Sequence, residues 1–296
     1  MLAEFEFYNP SSLSEAVDYL ASGSDILKAG GPVLPLAGGT NLVVDMRAGR
    51  ECPASLIGLN NIAELRFIRV EKQRVTMGSG TTVSDVLRHP ELAGIAPSLV
   101  EAARLFAGMM VRNTATLAGN ICYGSPAADL MPPLLVLDAE LLLASKSGQR
   151  HLPLSEFYVG FKDNQLQQGE LITEISFPIP SSRSCNLFYK LARRKGDAIT
   201  VTGVAVAIEF DDEICSRARI ALGAVAPTVT RATSAESFLT GKPFTPELIS
   251  RAAEQAADES NPIDDLRASA EYRRHSVNVL TRRLLTRVAE AISNGG

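Results

Sequence analysis

Apolar positions recur in three successive patterns along this chain. Near the start, Leu13, Ala16, Val17 and Leu20 fall on one face at helical spacing. Ser12 or Ser14 stands where an N-cap is needed. The apolar run at 32–37 reads as a short strand entering Gly38-Gly39, Leu42-Val43-Val44 continues beyond it, and 55–59 reads as a further strand. In the second pattern, residues 67–70 and 74–78 alternate around Glu71-Lys72-Gln73, as an antiparallel hairpin does. Helical spacing at 82–87 and 99–104 and strands at 139–144 and 171–177 follow. Pro178 and Pro180 close this stretch, because proline cannot donate to a sheet ladder. The third pattern begins with strands at 200–210 and 216–225, joined at Asp211-Asp212-Glu213. Helices are predicted at 234–239, 246–259 and 270–292. In the last, Val277, Leu280, Leu284, Leu285 and Val288 share a face opposite Arg282, Arg283 and Arg287, which is read as solvated or facing a partner subunit.

The patterns together predict an α+β fold. A small α/β unit would occupy residues 1–60, a larger mixed-sheet unit 61–180, and a C-terminal domain of a few antiparallel strands and helices 181–296. A chain of 296 residues, 46% hydrophobic, can bury one large core or several smaller ones. Its net charge of −4 argues against a general nucleic-acid grip, and Arg193-Arg194-Lys195 is too short to reverse that. Cys52, Cys122, Cys185 and Cys215 have no metal-ligand spacing, so neither zinc nor an iron–sulfur cluster is expected within this chain. No secretory signal and no membrane-spanning run is legible, which suggests a cytoplasmic protein with free thiols.

The candidate chemistry is sparse. His89, His151 and His275 stand in no catalytic or metal-binding pattern, and there is no nucleophile elbow, Walker lysine or H-E-x-x-H motif. Chemistry supplied by a cofactor is therefore expected. Two glycine segments could hold one: Ala37-Gly38-Gly39-Thr40-Asn41 and Thr116-Leu117-Ala118-Gly119-Asn120. Small residues let the backbone approach an anion with its N–H groups, and two such segments suggest a divided clamp on a dinucleotide pyrophosphate. An earlier Ala29-Gly30-Gly31 is followed by Pro32, which has no N–H to offer, so the second copy is preferred. Neither segment is a G-x-G-x-x-G fingerprint, so a nicotinamide-binding Rossmann unit is unsupported. Residues around 111–130 also gather hydroxyls and amides that are costly to bury without a polar ligand.

On these residues the sequence resembles the FAD-binding (medium) subunits of the molybdenum hydroxylase family, which includes bacterial xanthine dehydrogenases and aerobic carbon monoxide dehydrogenases. The resemblance rests on Leu36-Ala37-Gly38-Gly39-Thr40-Asn41-Leu42, on Arg112-Asn113 with Ala115-Thr116-Leu117-Ala118-Gly119-Asn120-Ile121, and on Ser125-Pro126-Ala127-Ala128-Asp129. Lys190-Leu191-Ala192-Arg193-Arg194-Lys195-Gly196-Asp197 and Ala221-Leu222-Gly223-Ala224-Val225-Ala226-Pro227-Thr228 extend it. It implies a two-subdomain FAD-binding fold followed by the C-terminal domain. It also implies that 37–41 and 116–120 hold the FAD pyrophosphate, that Asp129 and nearby Ser125 lie by the adenosine, that Ile172 lies against the flavin ring and that Lys190 lies at its edge. Ala118 departs from the more usual glycine and is tolerable at negative φ. Gly196-Asp197 departs from the more acidic stretch of NAD-reducing members.

The resemblance further implies an electron-transfer role in an oxidoreductase of several subunits. Electrons would arrive from [2Fe-2S] clusters of a small partner subunit, originating at a molybdenum cofactor in a large one, and leave through FAD to NAD or another acceptor. A dimer of heterotrimers is the expected assembly. Two rival readings are a self-contained FAD oxidoreductase, for which no substrate base can be nominated, and a non-redox scaffold subunit with a decayed flavin site.

Overall fold

The N-terminal elements form as the spacing predicts. A computed structural model describes residues 3–26 and 32–293; the first Ala-Gly-Gly copy, at 29–31, lies outside the described residues, as does the Gly295-Gly296 tail. Strands β1 (Glu6–Tyr8), β2 (Val33–Leu36) and β3 (Ser55–Gly58) make a parallel sheet in the order β1-β3-β2. Helix α1 (Leu13–Ile26) joins β1 to β2, which flank β3, and α2 (Leu42–Arg47) joins β2 to its neighbour β3, since parallel strands need a crossover. Ser12 caps α1, its hydroxyl accepting from the Glu15 amide at 3.2 Å. Ala16, Val17 and Leu20 pack on Ile57, Ile62 and Leu65, and Leu171 reaches this cluster from the next unit. Leu42-Val43-Val44 opens α2 and adds nothing to the sheet; three apolar residues carry too little period to tell helix from strand.

The second unit is built on five strands. These are β4 (Ile68–Val70), β5 (Arg74–Gly78), β6 (Glu140–Ser145), β7 (Gly148–Pro153) and β10 (Leu171–Pro178), in the order β4-β5-β10-β6-β7. Every pairing in this sheet is antiparallel, in contrast to the parallel N-terminal sheet. Between β7 and β10 runs a small hairpin, β8 (Tyr158–Gly160) with β9 (Asp163–Asn164). Six short helices cross between β5 and β6: α3 (Val83–Arg88), α4 (Leu92–Ile95), α5 (Pro97–Leu105), α6 (Met109–Arg112), α7 (Leu117–Tyr123) and α8 (Met131–Val136). Helix α3 begins at a reciprocal capping box, in which the Thr82 hydroxyl accepts from the Asp85 amide and the Asp85 carboxylate from the Thr82 amide.

The C-terminal sheet runs β11 (Ser184–Ala192), β12 (Thr200–Asp211), β13 (Ile214–Gly223), β14 (Thr230–Arg231), all antiparallel. One face packs against α5 and α8. The other is covered by α9 (Thr233–Leu239), α10 (Pro246–Asp258) and α11 (Ala270–Ser293). Covered on both faces, β12 is buried from Thr200 to Ile208, which accounts for its uninterrupted small and apolar run. Val277, Leu280, Leu284, Leu285 and Val288 of α11 are buried, while Arg282, Arg283 and Arg287 are exposed. Asp138, at the turn after α8, accepts from Arg217 at 2.7 Å and Arg231 at 3.3 Å and pairs with buried Arg219, tying the middle unit to this sheet.

Candidate functional site

The two glycine segments come together. A Cβ placed on Gly38 would stand 1.9 Å from the Thr114 carbonyl oxygen, so only glycine permits this approach of the first segment to Thr114-Ala115, which lead into the second. Gly39 adopts φ +66°, the left-handed conformation that reverses the chain between β2 and α2. Asn60 Nδ2 donates to the Ala37 carbonyl at 3.2 Å and steadies the turn. The amides of Gly38, Gly39, Thr40 and Asn41 have no partner among the described residues.

The second segment is a helix start rather than a loop. Thr116 caps α7, its hydroxyl accepting from the Gly119 amide at 3.0 Å, and the Leu117 amide donates to the Thr81 carbonyl. Of these first amides, that of Ala118 is left for a ligand. Ala118 is helical and absent from the residues at positive φ, so its methyl group is carried without strain. Leu117 itself is fully buried in the core.

Between these segments lies a cavity of about 500 Å3, within the range of small-molecule sites. Residues 37–41, together with Thr116, Ala118, Gly119, Asn120 and Ile172, line it. Leu34, Leu36, Phe106, Val111 and Leu171 supply an apolar wall. Ile172 is brought there by a register shift of β10 against β6 between Ile172 and Glu174. Two residues of the cavity wall, Ser79 and Asn120, each carry a buried side-chain oxygen without a partner, Ser79 Oγ and Asn120 Oδ1. Such orphans are rare in folded proteins and mark a place where a polar ligand belongs. Unpartnered amides, orphaned polar atoms and an apolar wall fit a dinucleotide with a planar ring.

Ser125, Asp129 and Lys190 do not line that cavity. Ser125 organises the turn before α8, its hydroxyl accepting from the Ala127 amide. The side chain of Lys190, on β11, is buried; Nζ donates to Asp129 Oδ2 at 2.6 Å and to the Leu105 carbonyl at 3.1 Å. Thr200 Oγ1 donates to the other carboxylate oxygen at 2.5 Å. Burial pushes the Asp129 carboxyl upward, opposed by the charge and hydrogen bond of Lys190 and by the Thr200 hydroxyl. This cluster adjoins the cavity through one segment: Leu105 holds Lys190, while the next two residues, Phe106 and Ala107, are cavity wall. Arg112 donates to the carbonyls of both, and Ala107 sits at φ +37°, an uncommon conformation for alanine.

Sequence reasoning passed over Ser79, Phe106 and Thr200. Gly78-Ser79-Gly80 has the same small-residue character as the recognised segments and was open to detection on that ground. Phe106 and Thr200 carry no comparable signal. No group of three or more metal-ligating side chains assembles among the described residues.

The family description "FAD binding domain in molybdopterin dehydrogenase" matches residues 3–180, and "CO dehydrogenase flavoprotein C-terminal domain" matches 187–288. The carbon monoxide dehydrogenase medium chain of Hydrogenophaga pseudoflava is 35% identical over 95% of this chain and 96% of its own. The nicotinate dehydrogenase FAD-subunit of Eubacterium barkeri is 30% identical over 99% of each. Among solved structures, a carbon monoxide dehydrogenase from H. pseudoflava superposes with a TM-score of 0.89 at 34% identity, covering 96% of both chains. A chain of quinoline 2-oxidoreductase from Pseudomonas putida 86 gives 0.89 at 28% identity over 99% of both. The chain therefore belongs to the FAD-binding medium subunits of the molybdenum hydroxylase family and is a component of an oxidoreductase.

Proposed function

We propose that this chain is the electron outlet of a molybdenum hydroxylase, receiving electrons from [2Fe-2S] clusters of a small subunit and passing them to NAD or another acceptor. Substrate oxidation would occur at a molybdenum cofactor in a large subunit, in a cytoplasmic dimer of heterotrimers. The functional division of this chain is read as 1–60 and 61–180 for FAD and 181–296 for the C-terminal domain. Bound FAD supplies the redox chemistry, accepting and releasing electrons at its ring. The chain's own residues bind and orient. The amides of 38–41 and of Ala118 would hold the pyrophosphate, with Thr40, Asn41, Thr116 and Asn120 beside them. Ile172 packs on the ring, excluding water from it. Lys190, held by Asp129, which Thr200 holds in turn, stands behind the 105–107 segment of the cavity wall, from where its charge would act on the ring's edge through that segment. Asp129 is thereby read as the partner of Lys190, with Ser125 shaping the turn that presents it.

The observation that carries this reading is the run of unpartnered amides at Gly38–Asn41, residues that line a cavity whose wall also contains two side-chain oxygens without partners. Its test is the visible spectrum of the purified full chain after incubation with FAD and removal of excess. Retained flavin absorption at one equivalent per chain is expected. A colourless protein would overturn the reading.

A further inference from the structure

The clamp is built wholly from neutral donors. Neither 37–41 nor 116–120 contains a cationic side chain, yet the diphosphate of FAD is that cofactor's anionic portion at neutral pH. Amides solvate such a charge but do not neutralise it.

Among the described residues two charged side chains line the cavity, Arg66 and Glu170. Glu170 is already satisfied, since Arg150 donates to both of its carboxylate oxygens, at 2.7 Å and 2.8 Å. Arg66 is different. It stands between the short 3-10 turn Ala63–Leu65 and β4, and its side chain makes no hydrogen bond or ion pair among the described residues. Its aliphatic stem passes over Gly80: a Cβ built there would lie 3.1 Å from Arg66 Cγ and 2.9 Å from the Leu65 carbonyl oxygen. The missing side chain at position 80 therefore makes room for the stem along the cavity wall. The preceding residue is Ser79, 4% exposed, a residue of the cavity wall whose hydroxyl is buried without a partner.

We infer that Arg66 and Ser79 form a third arm of the cofactor clamp, in which the Arg66 guanidinium neutralises the diphosphate and the Ser79 hydroxyl donates beside it. The inference rests on the reading of this cavity as the FAD site. It adds a charge-bearing contact from the loop and strand region that precedes α3, on neither glycine segment. A guanidinium suits the task because its planar fork meets two phosphate oxygens at once.

The test is the dissociation constant of FAD for the full chain, measured by flavin fluorescence quenching across a range of sodium chloride concentrations. It is applied to the unmodified protein, Arg66→Ala, Arg66→Lys and Ser79→Ala. Binding by the unmodified chain is a separate outcome: its failure removes the FAD reading itself. Given binding, Arg66→Ala is expected to weaken affinity about 10- to 100-fold at low salt, the worth of a charge-assisted contact. It should also flatten the dependence on salt, because a screened ionic contact has been removed. Arg66→Lys should keep the salt slope, and Ser79→Ala should weaken binding without changing it. Thermal unfolding of each apo-variant checks that the fold persists. An Arg66→Ala protein that melts normally and binds FAD with unchanged affinity and salt slope would overturn this assignment while leaving the FAD site in place.

Discussion

Gly39 and Lys190 are single residues whose surroundings dictate what replacing them does. At φ +66°, with Leu36 and Val43 just over 3 Å from any added Cβ, valine at position 39 meets both backbone strain and crowding. Gly39→Val should lose retained flavin, read as absent visible absorption, while far-UV dichroism stays near normal. The local cost is about 1–3 kcal/mol, a fraction of a domain's stability. Lys190→Met strands a buried carboxylate and should lower unfolding stability by about 3–5 kcal/mol. Adding Asp129→Asn should recover part of that loss in denaturant titrations, because the stranded charge is then gone. If the double variant is no more stable than the single one, the ion pair is not the source of the effect. Lys190, Asp129 and Ser125 were legible as residues worth singling out. Their mutual pairing was not, because 61 positions separate Asp129 from Lys190 and nothing local couples them. Thr200 was hidden for a plainer reason: a threonine opening an apolar strand looks like any β-branched residue.

Among the elements, those with a strong period or a cap were readable and the short ones were not. Helix α11, whose buried apolar residues recur from Val277 to Val288, follows the spacing closely, as does the β4–β5 hairpin. Helices α6 and α7, four and seven residues long, offer too little repeat, so the second glycine segment read as a loop although Thr116 begins a helix there. Strand β7 reads as polar because it is an edge with one wet face, Gly148 to Pro153 being mostly exposed. Arg150 of β7 nonetheless anchors Glu170, just before β10, by a two-pronged contact. That contact, aided by the Gln167 amide, holds the Glu170 carboxyl below the ordinary 4.5. A depressed carboxyl contributes stability that is full above the unfolded value and is lost as pH falls through the folded one. Glu170→Gln should therefore melt lower than the parent at pH 7, and the gap should narrow progressively below about pH 4.5. Equal gaps at pH 7 and pH 3 would contradict this account of the pair.

At the scale of the whole molecule, the C-terminal sheet is the joint on which everything else rests. Its β12 is covered by helices from both sides, and Asp138 gathers Arg217, Arg219 and Arg231 at the seam. Asp138→Ala leaves the buried Arg219 with Glu209 alone, at 3.1 Å. A loss of about 2–4 kcal/mol is expected, seen in calorimetry as a lowered and broadened transition, since the seam joins two units. No helix among the described residues is long and apolar enough to cross a membrane. The contact of Gly38 with the Thr114 carbonyl carries a kinetic consequence as well. That contact is made by the chain's own backbone with no cofactor atom in it, so it is expected to persist without FAD and to leave little ordering for capture. Loading should then be a single bimolecular event whose observed rate rises linearly with flavin concentration, without the plateau that a slow closing step imposes.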